Sequence, residues 1–212
     1  MPRRIQTLIT GFEAFGRVKS NPADRIVRAL SYDCVAGQEI TGYVLPVSYT
    51  YVFDWLRAIL EVGGRDGQPF DNILHLGVAV GSAYWRVERF ARNQRGKTPD
   101  TQGVTSLEPW IIEEGDSLLV GNLPVEAITS DLQAIGIPAQ SSNSAGDYLC
   151  NYLYYRSLAH LETLHNPPRA GFLHIPADPD TFDSKVMSAP VFSFEQHLEA
   201  VRSALTTLNK YP

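Results

Sequence analysis

AQSSNSAGDYLCNYLYYRSLAHL, residues 139–161, reads as a strand, a turn and a helix in succession. Ala139 to Ser142 suits a short strand, and Asn143 to Asp147 are small or turn-forming residues. Leu153, Tyr154, Ser157, Leu158 and Leu161 then recur on one stripe, which predicts a helix over Gly146 to Leu161. That reading sets Cys150 in the first helical turns, facing inward. Helix N-terminal amides carry partial positive charge and favour a thiolate. With Asp147 as N-cap, Cys150 is the third helical residue; with Ser144 as N-cap the effect is weaker. A lone cysteine on an apolar helix face is also a common packing residue.

Working outward, the same alternation covers the chain. Ile5 to Gly11, Ile40 to Leu45, Asn72 to Val80 and Gly171 to Ile175 read as further strands. Pro22 to Leu30, Tyr51 to Val62, Pro124 to Ile135 and Phe194 to Asn209 read as helices, with Pro22 and Pro124 in first-turn positions. Strands alternating with helices predict an α/β fold: a single-domain α/β/α sandwich over residues 1–212 with a mostly parallel central sheet. Sites in such sheets form beyond the carboxyl ends of the strands. That edge gathers Gly11 to Gly16, Gly77 to Ser82, Ser142 to Cys150 and His174 to Asp178. The irregular stretch Gln94 to Gly121 reads as an exposed excursion of functional length, with Trp110 to Ile112 as a contact surface.

GFLHIP, Gly171 to Pro176, ends its strand on His174, and a thiol becomes a useful nucleophile when a base such as histidine stands beside it. SAGDYLCNYLYYRSL and GFLHIPADPD resemble the cysteine and histidine segments of the pyroglutamyl peptidase I (pyrrolidone carboxyl peptidase) family of cysteine peptidases. TGFEAFG (Thr10 to Gly16), NPA (Asn21 to Ala23), LPVSY (Leu45 to Tyr49) and VERFARN (Val87 to Asn93) resemble further segments of that family, in family order. The resemblance implies removal of N-terminal pyroglutamate from peptides through a thioester acyl-enzyme. It makes Cys150 the nucleophile, His174 the general base then acid, and Glu88 the group that orients the imidazole. It also places Phe12, Phe15, Tyr148 and Leu149 at the pocket for the lactam ring. Four departures bear on that pocket: GVAVGSA carries Val78 where many members have glutamine and lacks an arginine near Ser82 and Ala83, Val47 follows Pro46 where threonine is common, and Asp147 precedes Tyr148.

Composition excludes other classes. A net charge of -5 with scattered basic residues leaves no nucleic-acid footprint. The glycines of GFEAFG and GVAVGSA fit neither a phosphate loop nor the dinucleotide fingerprint, so no nucleotide cofactor is expected. His75, His160, His165 and His197 have no metalloenzyme spacing; His75, inside an apolar strand, reads as a satisfied core histidine. No stretch approaches the roughly 20 apolar residues of a membrane span. Cys34 and Cys150, with no secretory segment, read as reduced thiols in the cytoplasm, Cys34 being incidental. The resemblance suggests a homo-oligomer. The alternative function is a non-catalytic or retargeted relative that binds a small amide or a protein partner.

Overall fold

The computed structural model describes residues 3–16, 20–105, 108–180 and 192–211. Its elements are β1 (Ile5–Phe12), α1 (Pro22–Leu30), β2 (Cys34–Val35), β3 (Gln38–Leu45), α2 (Val52–Val62), β4 (Asn72–Val78), β5 (Trp85–Glu88), β6 (Phe90–Arg92), β7 (Leu118–Val120), α3 (Val125–Ala134), β8 (Ala139–Ser142), α4 (Leu149–Leu161), β9 (Arg169–Ile175) and α5 (Phe194–Lys210). Seven strands form one sheet in the order β2-β3-β1-β4-β9-β5-β8; β6 and β7 make a separate ribbon. The central pairs β3/β1, β1/β4, β4/β9 and β5/β8 are parallel, while β5/β9 and β2/β3 are antiparallel. The sheet is therefore mostly parallel with helices on both faces, as the alternation predicts.

Two apolar cores result. One joins α1, α3 and α5 to the sheet through Ile26, Val27, Ile128, Leu132, Val201 and Leu205. The other lies under α2 and α4 and contains Leu56, Ile59, Leu153, Tyr154, Leu158 and Phe172. The near-continuous burial of β1 and β4 is what a parallel strand covered on both sides requires. The motif TGFEAFG has a packing reason: a Cβ on Gly11 would stand 2.7 Å from the Ala23 carbonyl oxygen, so glycine lets α1 lie close on β1. Asn21 caps α1, its Oδ1 accepting from the Ala23 amide at 3.0 Å, with Pro22 at the first helical position.

Several boundaries differ from the sequence expectation. α4 begins at Leu149, not Gly146, because Gly146 is left-handed (φ 83°) and Tyr148 extended (φ −100°, ψ −161°). Its N-cap position is thus Tyr148 rather than Asp147 or Ser144. β4 stops at Val78, not Val80. β2, β5, β6 and β7 were not expected. In β5, Arg86 and Glu88 alternate with the buried Trp85 and Val87, and their face looks into the covered side of the sheet. A charged face normally signals solvent, so the alternation resembles a surface segment.

The excursion from Gln94 to Gly121 is not simply exposed. Asp100 Oδ2 accepts from the Tyr49 amide at 2.9 Å, Thr101 Oγ1 donates to the Val47 carbonyl at 2.8 Å, and Arg95 lies over the rings of Tyr49 and Tyr152. Of the apolar run Trp110 to Ile112, Ile111 is buried and Trp110 faces solvent.

His75 is buried, with Nδ1 2.7 Å from Thr10 Oγ1 and Nε2 3.1 Å from Ser157 Oγ. Burial lowers its pKa from 6.5 to about 3, and that of His197 to about 4. Between pH 6.5 and those values each ring takes a proton only in the unfolded chain, so stability falls as pH falls. The expected slope is roughly 1.4 kcal/mol per pH unit for each histidine. Urea unfolding at pH 7.5 and 5 checks it; equal midpoints would contradict the neutral, buried state of these rings.

Candidate active site

The sheet lays out the site in two rows. Gly77 on β4 pairs with His174 on β9, His174 with Arg86 on β5, and Arg86 with Gln140 on β8. Directly paired residues present side chains to the same face, so these four positions form one row across four neighbouring strands. The next row contains His75, Phe172, Glu88 and Ser142. Glu88, two residues from Arg86 on one strand, points to the same face. It is 1% exposed, and its Oε1 accepts from His174 Nδ1 at 2.8 Å.

Over the first row comes the start of α4. An ideal Cβ on Gly77 would lie 2.8 Å from Cys150 Sγ and 2.8 Å from Phe172 Cζ. The sulfur therefore occupies the space that any larger residue beside His174 would fill. Cys150 is the second residue of α4, and Tyr148 provides no side-chain cap. The amides of the first turn have no intrahelical acceptor, which leaves N–H donors next to the sulfur.

The resting charge state differs from the thiolate expected from the helix position alone. Burial, supported by the nearby Glu88 carboxylate, pushes the Cys150 thiol up to about 12; Arg86 opposes this without reversing it. Burial also lowers the His174 pKa, although the hydrogen bond and charge of Glu88 pull the other way. Removing a charge from water costs more here than one helix end returns. Both shifts favour the uncharged forms, thiol and imidazole, although Cys150 itself is only partly buried at the cleft. With Nδ1–H donated to Glu88, the Nε2 lone pair is available as a base.

Cys150 and His174 line an open cleft of about 450 Å³. Its walls include Phe15 after β1, Val78 at the end of β4, and Tyr148 before α4. Tyr148 packs between Phe15 (ring centroids 6.0 Å apart) and Tyr49 (5.9 Å), and its hydroxyl donates to the Pro99 carbonyl at 3.1 Å. The excursion thus braces this wall. Phe12 and Leu149 lie elsewhere: they are 3% and 1% exposed and belong to the core beneath the cleft. They sit on strand and helix faces turned toward packed neighbours and do not line the cleft.

Sequence reading missed three contributors. Arg86 and Gln140 line the cleft, and Arg86 was visible in principle through its two-residue spacing from Glu88. Asn151 ties α4 to the segment after β5: its Oδ1 accepts from the Arg92 amide at 2.9 Å, and its Nδ2 donates to the carbonyls of Arg92 (2.8 Å) and Gln94 (3.0 Å). No spacing rule reports that contact. Among the described residues there is no cluster of histidine, cysteine, aspartate or glutamate arranged to hold a metal ion, and no helix is long and apolar enough to cross a membrane.

A family model described as pyroglutamyl peptidase matches residues 5–211. The chain is 36% identical over 205 residues to the pyrrolidone-carboxylate peptidase of Pyrococcus furiosus, covering 95% of this chain and 96% of that protein. It is 32% identical over 205 residues to a Yersinia pestis protein of the same name, covering 96% and 92%. The solved pyrrolidone carboxyl peptidase of Thermococcus litoralis superposes with a TM-score of 0.88 at 32% identity, covering 98% of this chain and 94% of that one.

Proposed function

The chain belongs to the pyroglutamyl peptidase family of cysteine-type omega peptidases, which remove N-terminal pyroglutamate, and we propose that Cys150, His174 and Glu88 carry this hydrolysis here. The observation that supports these roles most is the joint geometry: an imidazole held at Nδ1 by a buried carboxylate, beside a glycine slot filled by a helix-start sulfur. A non-catalytic or retargeted relative is not supported.

The reaction follows from the neutral resting pair. As Cys150 Sγ attacks the pyroglutamyl carbonyl carbon, its proton passes to His174 Nε2, and the S–C bond forms while the carbonyl π electrons move to oxygen. The imidazolium so created is stabilised by Glu88, which remains ionised. First-turn amides of α4, including that of Cys150, are the oxyanion donors. Collapse breaks the C–N bond, and the departing amine takes the proton from His174. Water, deprotonated by the same nitrogen, then attacks the thioester, releasing pyroglutamate and returning the proton to sulfur. Because the thiol is not ionised beforehand, proton transfer and attack are coupled.

The lactam ring is placed against Phe15, Tyr148 and Val78. Val78 offers no side-chain hydrogen bond, so backbone groups partner the lactam, with a raised KM relative to members that keep glutamine there. An unpaired buried polar group costs about 1–3 kcal/mol. Prolyl amides lack the lactam carbonyl and glutaminyl amides lack the ring. Each is expected to show kcat/KM at least roughly 10-fold below the pyroglutamyl amide. Fluorogenic amides of the three test this, and comparable values would remove the lactam pocket. Two unpaired cysteines suit a reducing compartment such as the cytoplasm. The exposed Trp55 and Val62 on α2 suit a homo-oligomer.

A further inference from the structure

Arg86 has no part in the reaction as derived, yet it stands inside the cleft. The order of strands across the cleft is β1, β4, β9, β5, β8. Phe15 and Val78 mark the β1 and β4 side, Cys150 and His174 the middle, Arg86 and Gln140 the far side. If the pyroglutamyl ring occupies the first side, as proposed above, the departing amine leaves past His174. Neighbouring strands are about 4.8 Å apart, so the first residue of the leaving peptide passes over Arg86.

We propose that Arg86 is a specificity-determining residue that receives a carboxylate on that first leaving residue, either an acidic side chain or the free α-carboxylate of a pyroglutamyl dipeptide. Its Nε stands 3.4 Å from Glu88 Oε1, which orients the guanidinium, and among the described residues nothing accepts from its terminal nitrogens. Its side chain keeps 30% of its surface, so these donors are open to a ligand. The acidic wall residue, Asp147, has its carboxylate turned to Gly96, where an added Cβ would lie 2.6 Å from it, and it makes no ion pair with Arg86 among the described residues. A guanidinium fork with two free donors matches a carboxylate better than a neutral amide.

The test rests on the pyroglutamyl reading and separates its failure from that of the inference. kcat/KM is measured at low salt for pyroglutamyl-Ala-amide, pyroglutamyl-Glu-amide and pyroglutamyl-Ala with a free carboxyl, using the whole protein and Arg86→Gln and Arg86→Lys. At least one carboxylate substrate is expected to exceed the neutral amide by roughly 5-fold, as befits one partly screened ion pair. The ratio should fall to about 1 in Arg86→Gln, persist in part in Arg86→Lys, and shrink with added salt. The Glu-amide and the free dipeptide distinguish a side-chain from a terminal carboxylate. Turnover of all three without preference, or a preference that survives Arg86→Gln, overturns the inference. An equal loss on all substrates in Arg86→Gln, with a shifted pH profile, would make Arg86 a positioning residue for Glu88 instead. Absence of turnover of every pyroglutamyl substrate would overturn the underlying reading.

Discussion

Cys150→Ala and His174→Ala are each expected to lower kcat by about 10⁴-fold or more while leaving the fold intact. With the thiol pKa raised, attack needs a base at the moment of bond formation, and the row Gly77–His174 provides that base next to the sulfur. Without His174 the sulfur depends on a thiol pushed up to about 12, which leaves almost no thiolate near pH 7. Glu88→Gln should cost less, roughly 10²- to 10³-fold, because it leaves nucleophile and base in place but no longer fixes the Nδ1 proton or the imidazolium. Combining His174→Ala with Glu88→Gln should cost little more than His174→Ala alone, since the two act as one unit. Single-turnover kinetics, with circular dichroism as a control on folding, measure these effects. A Glu88→Gln enzyme matching the parent would return Glu88 to a structural role, and activity surviving in Cys150→Ala would remove the covalent route.

Gly77→Ala is expected to be almost as damaging through sterics alone. Its new methyl would stand 2.8 Å from both Cys150 Sγ and Phe172 Cζ, well inside contact distance, with the Gly77 backbone held in the sheet by its pairing with β9. Phe172 is fully buried and also packs against Tyr154 and His174, so it has nowhere to retreat. The sulfur must therefore leave its place beside the imidazole. Loss of about 100-fold or more in kcat, together with about 1–3 kcal/mol of stability, follows from overpacking and from misplacing a nucleophile by an ångström. Urea unfolding and kcat of the folded variant measure the two parts. Unchanged activity would mean that the sulfur works from another position.

The fold was legible where local pattern and tertiary environment agree. Pro22 to Leu30 is a helix capped by Asn21, and Ala139 to Ser142 is a strand, as their residues indicate, because capping and apolar periodicity act within one element. β5 was not legible. Its charged alternation ordinarily marks solvent, but here Arg86 lines the cleft and Glu88 is buried against His174. The start of α4 was misread by three residues because the positive φ of Gly146 and the extended Tyr148 are decided by the packing of the excursion, whose Gly96 amide donates to the Asp147 carbonyl at 2.6 Å.

By itself the sequence determined the chemistry available to this protein: one cysteine at a helix start, one histidine at a strand end, and motifs that resemble a single peptidase family along the chain. It also determined the layered α/β plan, since periodicity and turn residues act over short distances. Only the tertiary structure decided which side chains meet. Strand register set Gly77, His174, Arg86 and Gln140 in one row, although they come from four separate strands. The same packing sent Phe12 and Leu149 to the core while leaving Phe15 and Tyr148 on the wall. It also raised the pKa of the thiol, because desolvation depends on the whole shell of atoms around the sulfur, and those atoms are drawn from distant parts of the chain.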